Sequence, residues 1–413
     1  MQFKTKLITI AACAALLFNG HIASAAAVAD KPAAVDAKSA VDSIIEQRMK
    51  ESGVVGVGAA IIVNKKLVWM KGYGFADNVR AIPFTPNTIM SVGSIAKPFV
   101  GVAMMRAVNE GKPSLDADIN KYLPFRVVNP HHPNEVITLR MLATHSASMK
   151  DRWEIYSRTY HYWGDAPEPL GQFLEQYFAP NGKNYSRDNF LDAKPGARRG
   201  YSNIGAALAG YIVERAFNEP LNLYTRSHIY APLKMTNSGW FLSEVDLVNH
   251  SKLYVSHNGH IIPIPLYGSI TYPDGGVRTS VADLSTFFIA LLNGGEYQGT
   301  RILDAVSTAE ILRFQSTDTN RPENFPAKDG NSGLFWRTKS NGKLMGHGGN
   351  DPGIQTEMLS DLSKEVGVIV FMNTSLSGTD QRLSGDIFDA LWKYAIALQE
   401  ANRRTEGNQL VKR

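Results

Sequence analysis

The sequence predicts a mixed α/β (α+β) fold: an antiparallel sheet flanked by helices, built from both chain ends, with a mostly helical inserted lobe. Three observations lead there. Strand-like apolar runs stand near the start, at residues 56–63 and 67–75, and again near the end, at 333–338, 355–360 and 366–372. Between them, from about 115 to 270, the patterns are helical or loop-like. A helical stretch precedes the first strands and an amphipathic one follows the last, so helices are available to cover the sheet.

The chain opens on a targeting pattern. Lys4 and Lys6 precede an apolar run from Leu7 to Phe18, too short to span a bilayer, and Ala23-Ser24-Ala25 supplies small residues for cleavage. Residues 1–25 are therefore expected to be a signal peptide, and the mature protein periplasmic or secreted. Ile10-Ala11-Ala12-Cys13 loosely resembles a lipoprotein signal, which makes anchoring through Cys13 a minor alternative. Residues 26–40, rich in Ala with Asp and Lys, read as a linker. A helix is expected over 41–51. Residues 56–63 and 67–75 then form a hairpin around Asn64-Lys65-Lys66. Val100, Ala103, Met104 and Ala107 recur at helical spacing within 94–111. Further helices are expected at 137–143, 170–178, 204–217 and 283–292, then the late strands, then a helix over 386–400 and a polar tail over 401–413. Residues 41–400 thus read as one domain, with an α/β lobe at about 41–114 and 271–400 and a helical lobe at about 115–270.

Composition removes several function classes. The 413 residues carry a formal charge of +5, and Lys4 and Lys6 leave with the signal, so the mild balance that remains argues for no nucleic-acid partner. The single cysteine, Cys13, lies inside the removed segment. Disulfides, cysteine nucleophiles and thiolate metal sites are excluded together. No second long apolar run follows, so no membrane span is expected after signal removal. There is no His-Glu-x-x-His, and His131-His132 is followed by Pro in a loop, which speaks against a metallohydrolase. There is no Gly-x-Ser-x-Gly either, which speaks against the α/β-hydrolase elbow. Neither a metal nor an organic cofactor is expected.

The sharpest chemical feature is Ser94-Ile95-Ala96-Lys97. A serine hydroxyl is a poor nucleophile until a neighbouring base takes its proton. On a helix, residues i and i+3 share a face, so Lys97 can reach the Ser94 oxygen. Pro98 lacks an N–H and is tolerated only in a first turn, which sets the helix start close to Ser94 and at the positive end of the helix dipole. Taken alone the pattern is weak, because an N-cap serine reads the same way and Ser340-Asn341-Gly342-Lys343 matches it too. Two further motifs supply context. In Tyr201-Ser202-Asn203 the phenol can relay a proton, and the Asn203 amide can hold a substrate carbonyl or the lysine. In Gly346-His347-Gly348-Gly349-Asn350 the glycines allow a substrate backbone to come close. Each also has a plain reading: a core tyrosine beside a helix cap, and a tight turn with His347 facing solvent.

Together, Ser-x-x-Lys, Tyr-x-Asn and His-x-Gly resemble the penicillin-recognising serine enzymes: class C β-lactamases, DD-peptidases and related esterases. Thr85-Pro86-Asn87-Thr88, Ile137-Thr138-Leu139-Arg140, Leu142-Ala143-Thr144-His145-Ser146, Pro232-Leu233-Lys234-Met235 and Gly275-Gly276-Val277-Arg278-Thr279-Ser280 look like further segments of that family. The resemblance runs from about Val41 to Leu398. It implies a β-lactamase/transpeptidase-like fold and an exported serine hydrolase that acts through a Ser94 acyl-enzyme on an ester, a D-amino-acid peptide or a β-lactam. It implies Ser94, Lys97, Tyr201 and His347 as catalytic residues. The oxyanion hole would be the backbone N–H groups of Ser94 and Asn350, with Asn203, Gly348 and Gly349 binding substrate.

The departures from the family pattern carry their own expectations. His347 stands where classical β-lactamases have lysine, and a mostly neutral imidazole attracts a substrate carboxylate less than an ammonium does. Efficient penicillin hydrolysis is accordingly not expected. Ala147 stands where the family loop usually has glycine, so the backbone there is expected to differ. Trp153, Tyr156, Tyr160, Tyr162 and Trp163 form either an aromatic wall over the cleft or a satellite cluster packing a long loop. The competing reading from another class is a catalytically silent protein that recognises cell-wall peptides.

Overall fold

The computed structural model describes residues 32–257, 260–376 and 381–411. The expected signal peptide lies outside them. The first elements are α1 (Pro32–Ser52), β1 (Gly56–Val63), β2 (Lys66–Asp77) and β3 (Ile82–Pro83). Helices follow: α2 (Ala96–Asn109), α3 (Leu139–Ala143), α4 (Leu170–Phe178), α5 (Asn203–Phe217) and α6 (Val281–Leu292). The chain then returns to strands β4 (Arg337–Lys339), β5 (Leu344–Asp351), β6 (Ile354–Asp361) and β7 (Val366–Met372), and ends in α7 (Gln381–Val411). The strands form one seven-stranded antiparallel sheet in the order β4-β5-β6-β7-β1-β2-β3, so both parts of the chain meet at the β7–β1 seam. The expected class holds.

Alternation explains why the central strands are apolar throughout. In β1 and β7, Val57, Ala59, Ile61, Val63, Val366, Val368 and Val370 face α1 and α7, packing on Ile45 and Leu391. Their neighbours Ala60, Ile62, Ile369 and Phe371 face the larger core, with Phe288 of α6. Successive strand residues point to opposite faces, and both faces here are covered. Fully burying one such side chain is worth roughly 1.5–3 kcal/mol, which outweighs the poor strand propensity of Gly56 and Gly58. On the inner side, Phe99 of α2 stacks on Phe287 of α6 with ring centroids 3.8 Å apart. That contact ties the nucleophile helix to a helix that covers the sheet.

The structure revises three boundaries and adds a hairpin. Helix α1 begins at Pro32, so residues 32–40 of the expected linker are helical. An Ala-rich run with Asp and Lys is a good helix former, and proline is tolerated at a first position. Helix α7 continues to Val411, so the expected polar tail is helical through that residue. The strand expected at 333–338 is confined to Arg337–Lys339, because Leu334, Phe335 and Trp336 are instead buried in the core. The inserted segment, read as helical and loop-like, also holds a hairpin of strands Leu253–His257 and His260–Ile264, with Thr374–Ser375 pairing in parallel to the first.

Candidate active site

Backbone geometry comes first. Gly93 has φ +54°, and a Cβ there would lie 2.9 Å from Asp351 Oδ2 and 3.5 Å from the Asn350 backbone N. Only glycine lets the turn before Ser94 approach β5 this closely. Ser94 sits in a single 3₁₀ turn, Gly93–Ile95, that feeds α2, so the α-helix proper starts two residues after the serine. Pro98 occupies its first turn, as its missing N–H requires.

Two side chains converge on the hydroxyl, and two more groups hold the lysine. Lys97 Nζ is fully buried and lies 3.0 Å from Ser94 Oγ, 2.8 Å from Asn203 Oδ1 and 2.7 Å from the Asp274 carbonyl oxygen. The Tyr201 hydroxyl donates to Ser94 Oγ at 2.9 Å, and Lys97 Nζ lies 5.0 Å from the centre of its ring. The amide oxygen and the carbonyl can only accept, so they take two of the lysine N–H groups. The third position points at the nucleophile, where a neutral amine would present its lone pair.

Asp151 positions the tyrosine segment. Its carboxylate accepts from Ser202 Oγ at 2.7 Å, Asn203 N at 2.6 Å and Ile204 N at 3.2 Å, capping α5 beside the Ser202 hydroxyl that accepts from Gly205 N. Burial pushes the Asp151 carboxyl up, and these donors oppose the rise. His145 backs the phenol, with ring centroids 4.3 Å apart, and its Nδ1 accepts from Ser202 N at 3.3 Å. Burial, with the charges of Arg199 and Lys97, holds His145 well below its ordinary range, so the ring is neutral.

His347 lies on β5, and its ring centroid is 6.4 Å from that of Tyr201. It is only 2% exposed, so the solvent-facing turn is excluded. Nδ1 is 2.7 Å from the Gly348 carbonyl, which can only accept, so Nδ1 carries the proton. Burial, followed by the charges of Lys97 and Arg337, keeps the imidazole neutral. Gly348, Gly349 and Asn350 line the same cleft of about 640 Å³ as Ser94, Tyr201 and Asn203. A Cβ on Gly349 would meet the Val92 carbonyl at 2.1 Å, and Thr356 Oγ1 donates to that carbonyl at 2.9 Å, pinning the strand against the nucleophile turn. Six of the eight site residues singled out in the sequence line one cleft, with Lys97 bonded to Ser94 behind it and His347 beside Tyr201.

Other expectations sort differently. Ser340, Asn341 and Gly342 form a left-handed turn between β4 and β5 (φ 52°, 55° and 80°), so Lys343 does not share a helical face with Ser340. Ala147 has ordinary backbone, and the constrained positions of that loop are His145 (φ 58°) and Ser148 (φ 59°). Ser148 Oγ donates to the Ala193 carbonyl at 2.6 Å, which secures the strained turn. The aromatic segment divides: Trp153, Tyr156 and Tyr160 line the cleft, Tyr162 packs on Tyr267 at 5.4 Å, and Trp163 is 84% exposed.

Three carboxyl groups emerged only from the structure. Besides Asp151, these are Asp274, which accepts from Tyr156 Oη at 3.2 Å, and Asp351, which accepts from Tyr160 Oη at 2.6 Å. Burial pushes the Asp274 carboxyl up to about 7, against the pull of Lys97. Burial raises Asp351 as well. Among the described residues no helix is long and apolar enough to cross a membrane.

The sequence model of the family described as Beta-lactamase matches residues 41–391. "Protein flp" of Staphylococcus aureus (strain MW2) is 22% identical over 342 residues, covering 82% of this chain and 63% of that protein. The chain thus spans less than two thirds of the length of that relative. The octameric penicillin-binding protein homologue from Pyrococcus abyssi superposes with a TM-score of 0.66 at 26% identity, over 82% of this chain and 74% of that one. The D-amino acid amidase from Ochrobactrum anthropi SV3, solved with L-phenylalanine amide, gives 0.66 at 20% identity, over 87% and 99%.

Proposed function

Because the chain belongs to the Beta-lactamase family, we propose that it is a serine hydrolase that cleaves ester or amide bonds through an acyl-enzyme on Ser94. The observation that carries this is the convergence of Lys97 Nζ (3.0 Å) and Tyr201 Oη (2.9 Å) on one hydroxyl at the floor of a cleft. As Ser94 Oγ attacks the carbonyl carbon, its proton passes to the Lys97–Tyr201 pair. The backbone N–H groups of Ser94 and Asn350 receive the developing oxyanion, and such donors are worth about 10²–10³ in rate each. Asn203 holds Lys97 in place and also lines the cleft that receives the substrate. Tyr201 returns the proton to the leaving group. Neutral His347 and His145 flank the phenol without adding charge. Water then attacks the acyl-enzyme by the same proton route in reverse.

A D-amino-acid amide or peptide is a natural class to try beside simple esters, since the Ochrobactrum anthropi structure is that of a D-amino acid amidase. Neutral His347 weighs against efficient β-lactam turnover. Residues 1–25 support export to the periplasm or medium, and the N-terminus of the mature protein should then be Ala26. The direct test is mass spectrometry after treatment with a fluorophosphonate, alongside p-nitrophenyl acetate hydrolysis. We expect a single adduct on Ser94 and loss of at least 10³-fold in turnover for Ser94→Ala. No adduct and no hydrolysis would leave the silent, peptide-recognising alternative standing instead.

A further inference from the structure

The Asn350 N–H stands on a stretch of strand that the sheet alone holds weakly. Residues 344–346 of β5 pair with β4, but 347–351 pair only with β6, and Asp351 opposite Ile354 is the last rung before the turn. A strand end with one neighbour opens easily, whereas an oxyanion donor has to stay within about 0.5 Å of its working position. Side chains from elsewhere supply the missing hold. Tyr267 Oη donates to the Pro352 carbonyl at 2.9 Å, and Gly353 N donates to Ser375 Oγ at 3.0 Å, so the turn itself is pinned. Nearer the donor, Tyr160 Oη donates to Asp351 Oδ1 at 2.6 Å. The other carboxylate oxygen, Oδ2, faces the nucleophile turn, 2.9 Å from where a Cβ on Gly93 would stand. Asp351, the residue after Asn350, is therefore wedged between Tyr160 and the turn that carries Ser94.

Tyr160 is itself rigidly held. The short strand Tyr160–Tyr162 pairs antiparallel with Tyr267–Ser269, and the Tyr160 and Tyr267 rings meet edge-on with centroids 5.4 Å apart. Four residues earlier, Tyr156 meets the Tyr160 ring edge-on at 5.8 Å and donates to Asp274 Oδ1 at 3.2 Å. The Asp274 carbonyl in turn holds Lys97 Nζ at 2.7 Å. One aromatic segment thus braces the lysine on one side of Ser94 and the oxyanion strand on the other. Tyrosine suits this task, because packing fixes its ring while its O–H reaches a polar partner.

We propose that Tyr160 is a positioning residue for the oxyanion hole: its hydroxyl, acting through Asp351, fixes the Asn350 N–H against the Ser94 turn. The inference rests on the serine-hydrolase reading above, with Asn350 as an oxyanion donor. The effect of the hydroxyl falls on the transition state, where the substrate oxygen carries charge, and spares ground-state binding.

Phenylboronic acid tests it, because its boron takes up the serine oxygen as a tetrahedral anion that mimics the transition state. Its dissociation constant, read as inhibition of p-nitrophenyl acetate hydrolysis, does not change with the fraction of enzyme that is folded. Tyr160→Phe keeps the ring and removes the hydroxyl. It should weaken boronate binding by about tenfold and lower kcat/KM by a similar factor. Asp351→Asn presents an amide oxygen that still accepts from Tyr160, so it should stay within about threefold of the wild type. Asp351→Ala should match Tyr160→Phe, and in the double variant the two losses should not multiply, since both break one link. Should Asp351→Ala not fold, Tyr160→Phe decides alone. A boronate constant unmoved in Tyr160→Phe, losses that multiply, or a wild type that hydrolyses the ester without binding the boronate overturns the proposal. Fluorophosphonate labelling of the wild type separates the two failures. Labelled Ser94 with an unmoved constant removes this inference alone, whereas unlabelled Ser94 with no turnover removes the hydrolase reading beneath it.

Discussion

Asp274 joins electrostatics to stability at a single residue. Its carboxyl is 3% exposed, and burial raises it from 3.8 to about 7. The folded state therefore keeps a proton that the unfolded chain gives up, and stability falls as pH rises from about 4 to about 7, then levels off. Asp274→Asn keeps the backbone carbonyl that holds Lys97 and removes the titration. Urea denaturation at pH 5 and pH 8 should show the wild type losing more stability across the interval than the variant, by an amount on the order of a few kcal/mol. Parallel slopes in the two proteins would rule this out. The nucleophile was legible because Ser94 and Lys97 are three residues apart, a spacing that local helical geometry turns into contact. Asp274 was not, since its carbonyl meets Lys97 across 177 residues and no local pattern marks it. Asp151, whose partners lie 51 to 53 residues away, escaped notice for the same reason.

Among the elements, the glycine-rich strand β5 is one that sequence periodicity missed. Gly346, Gly348 and Gly349 lower its strand propensity, and only pairing with β4 on one side and β6 on the other makes it a strand. The closeness that hides it from propensity also lets it serve the site. A methyl group on Gly349 would sit 2.1 Å from the Val92 carbonyl, so Gly349→Ala should push the strand away from Ser94. A displacement near 1 Å costs about 10²-fold in rate, so kcat/KM for p-nitrophenyl acetate should fall by about that factor. Asp151→Ala leaves the Ser202 cap of α5 but removes the carboxylate that accepts from Asn203 N and Ile204 N, worth about 1–2 kcal/mol, and frees the segment that carries Tyr201 and Asn203. Its kcat should fall more steeply than its thermal midpoint, and a loss confined to the midpoint would refute the positioning role. The hairpin at 56–63 and 66–77 was readable because two apolar runs flank a polar turn there.

For the molecule as a whole, the α1–α7 layer and the catalytic cleft lie on opposite sides of the sheet, which separates stability from chemistry. Leu391 of α7 is fully buried against the face that turns away from Ser94. Leu391→Ala should cost about 2–5 kcal/mol in denaturant titrations and leave the rate of fluorophosphonate labelling of Ser94 unchanged under native conditions. A slowed labelling rate would show the two faces to be coupled. The two-ended sheet was legible because apolar strands crowd both termini, whereas the insert's small hairpin is too short and too polar on one face to stand out. The seam between those ends has a temporal consequence. Val57 pairs with Met372 and Val63 with Val366, so the central strand lacks its partner on one side until nearly the entire chain has been synthesised. Folding through so distant a pairing is intrinsically slow, and a growing chain carries an unpaired apolar edge throughout. A nascent chain arrested before Val366 should thus be open to proteases and chaperones, and the enzyme becomes itself only as its last strand arrives.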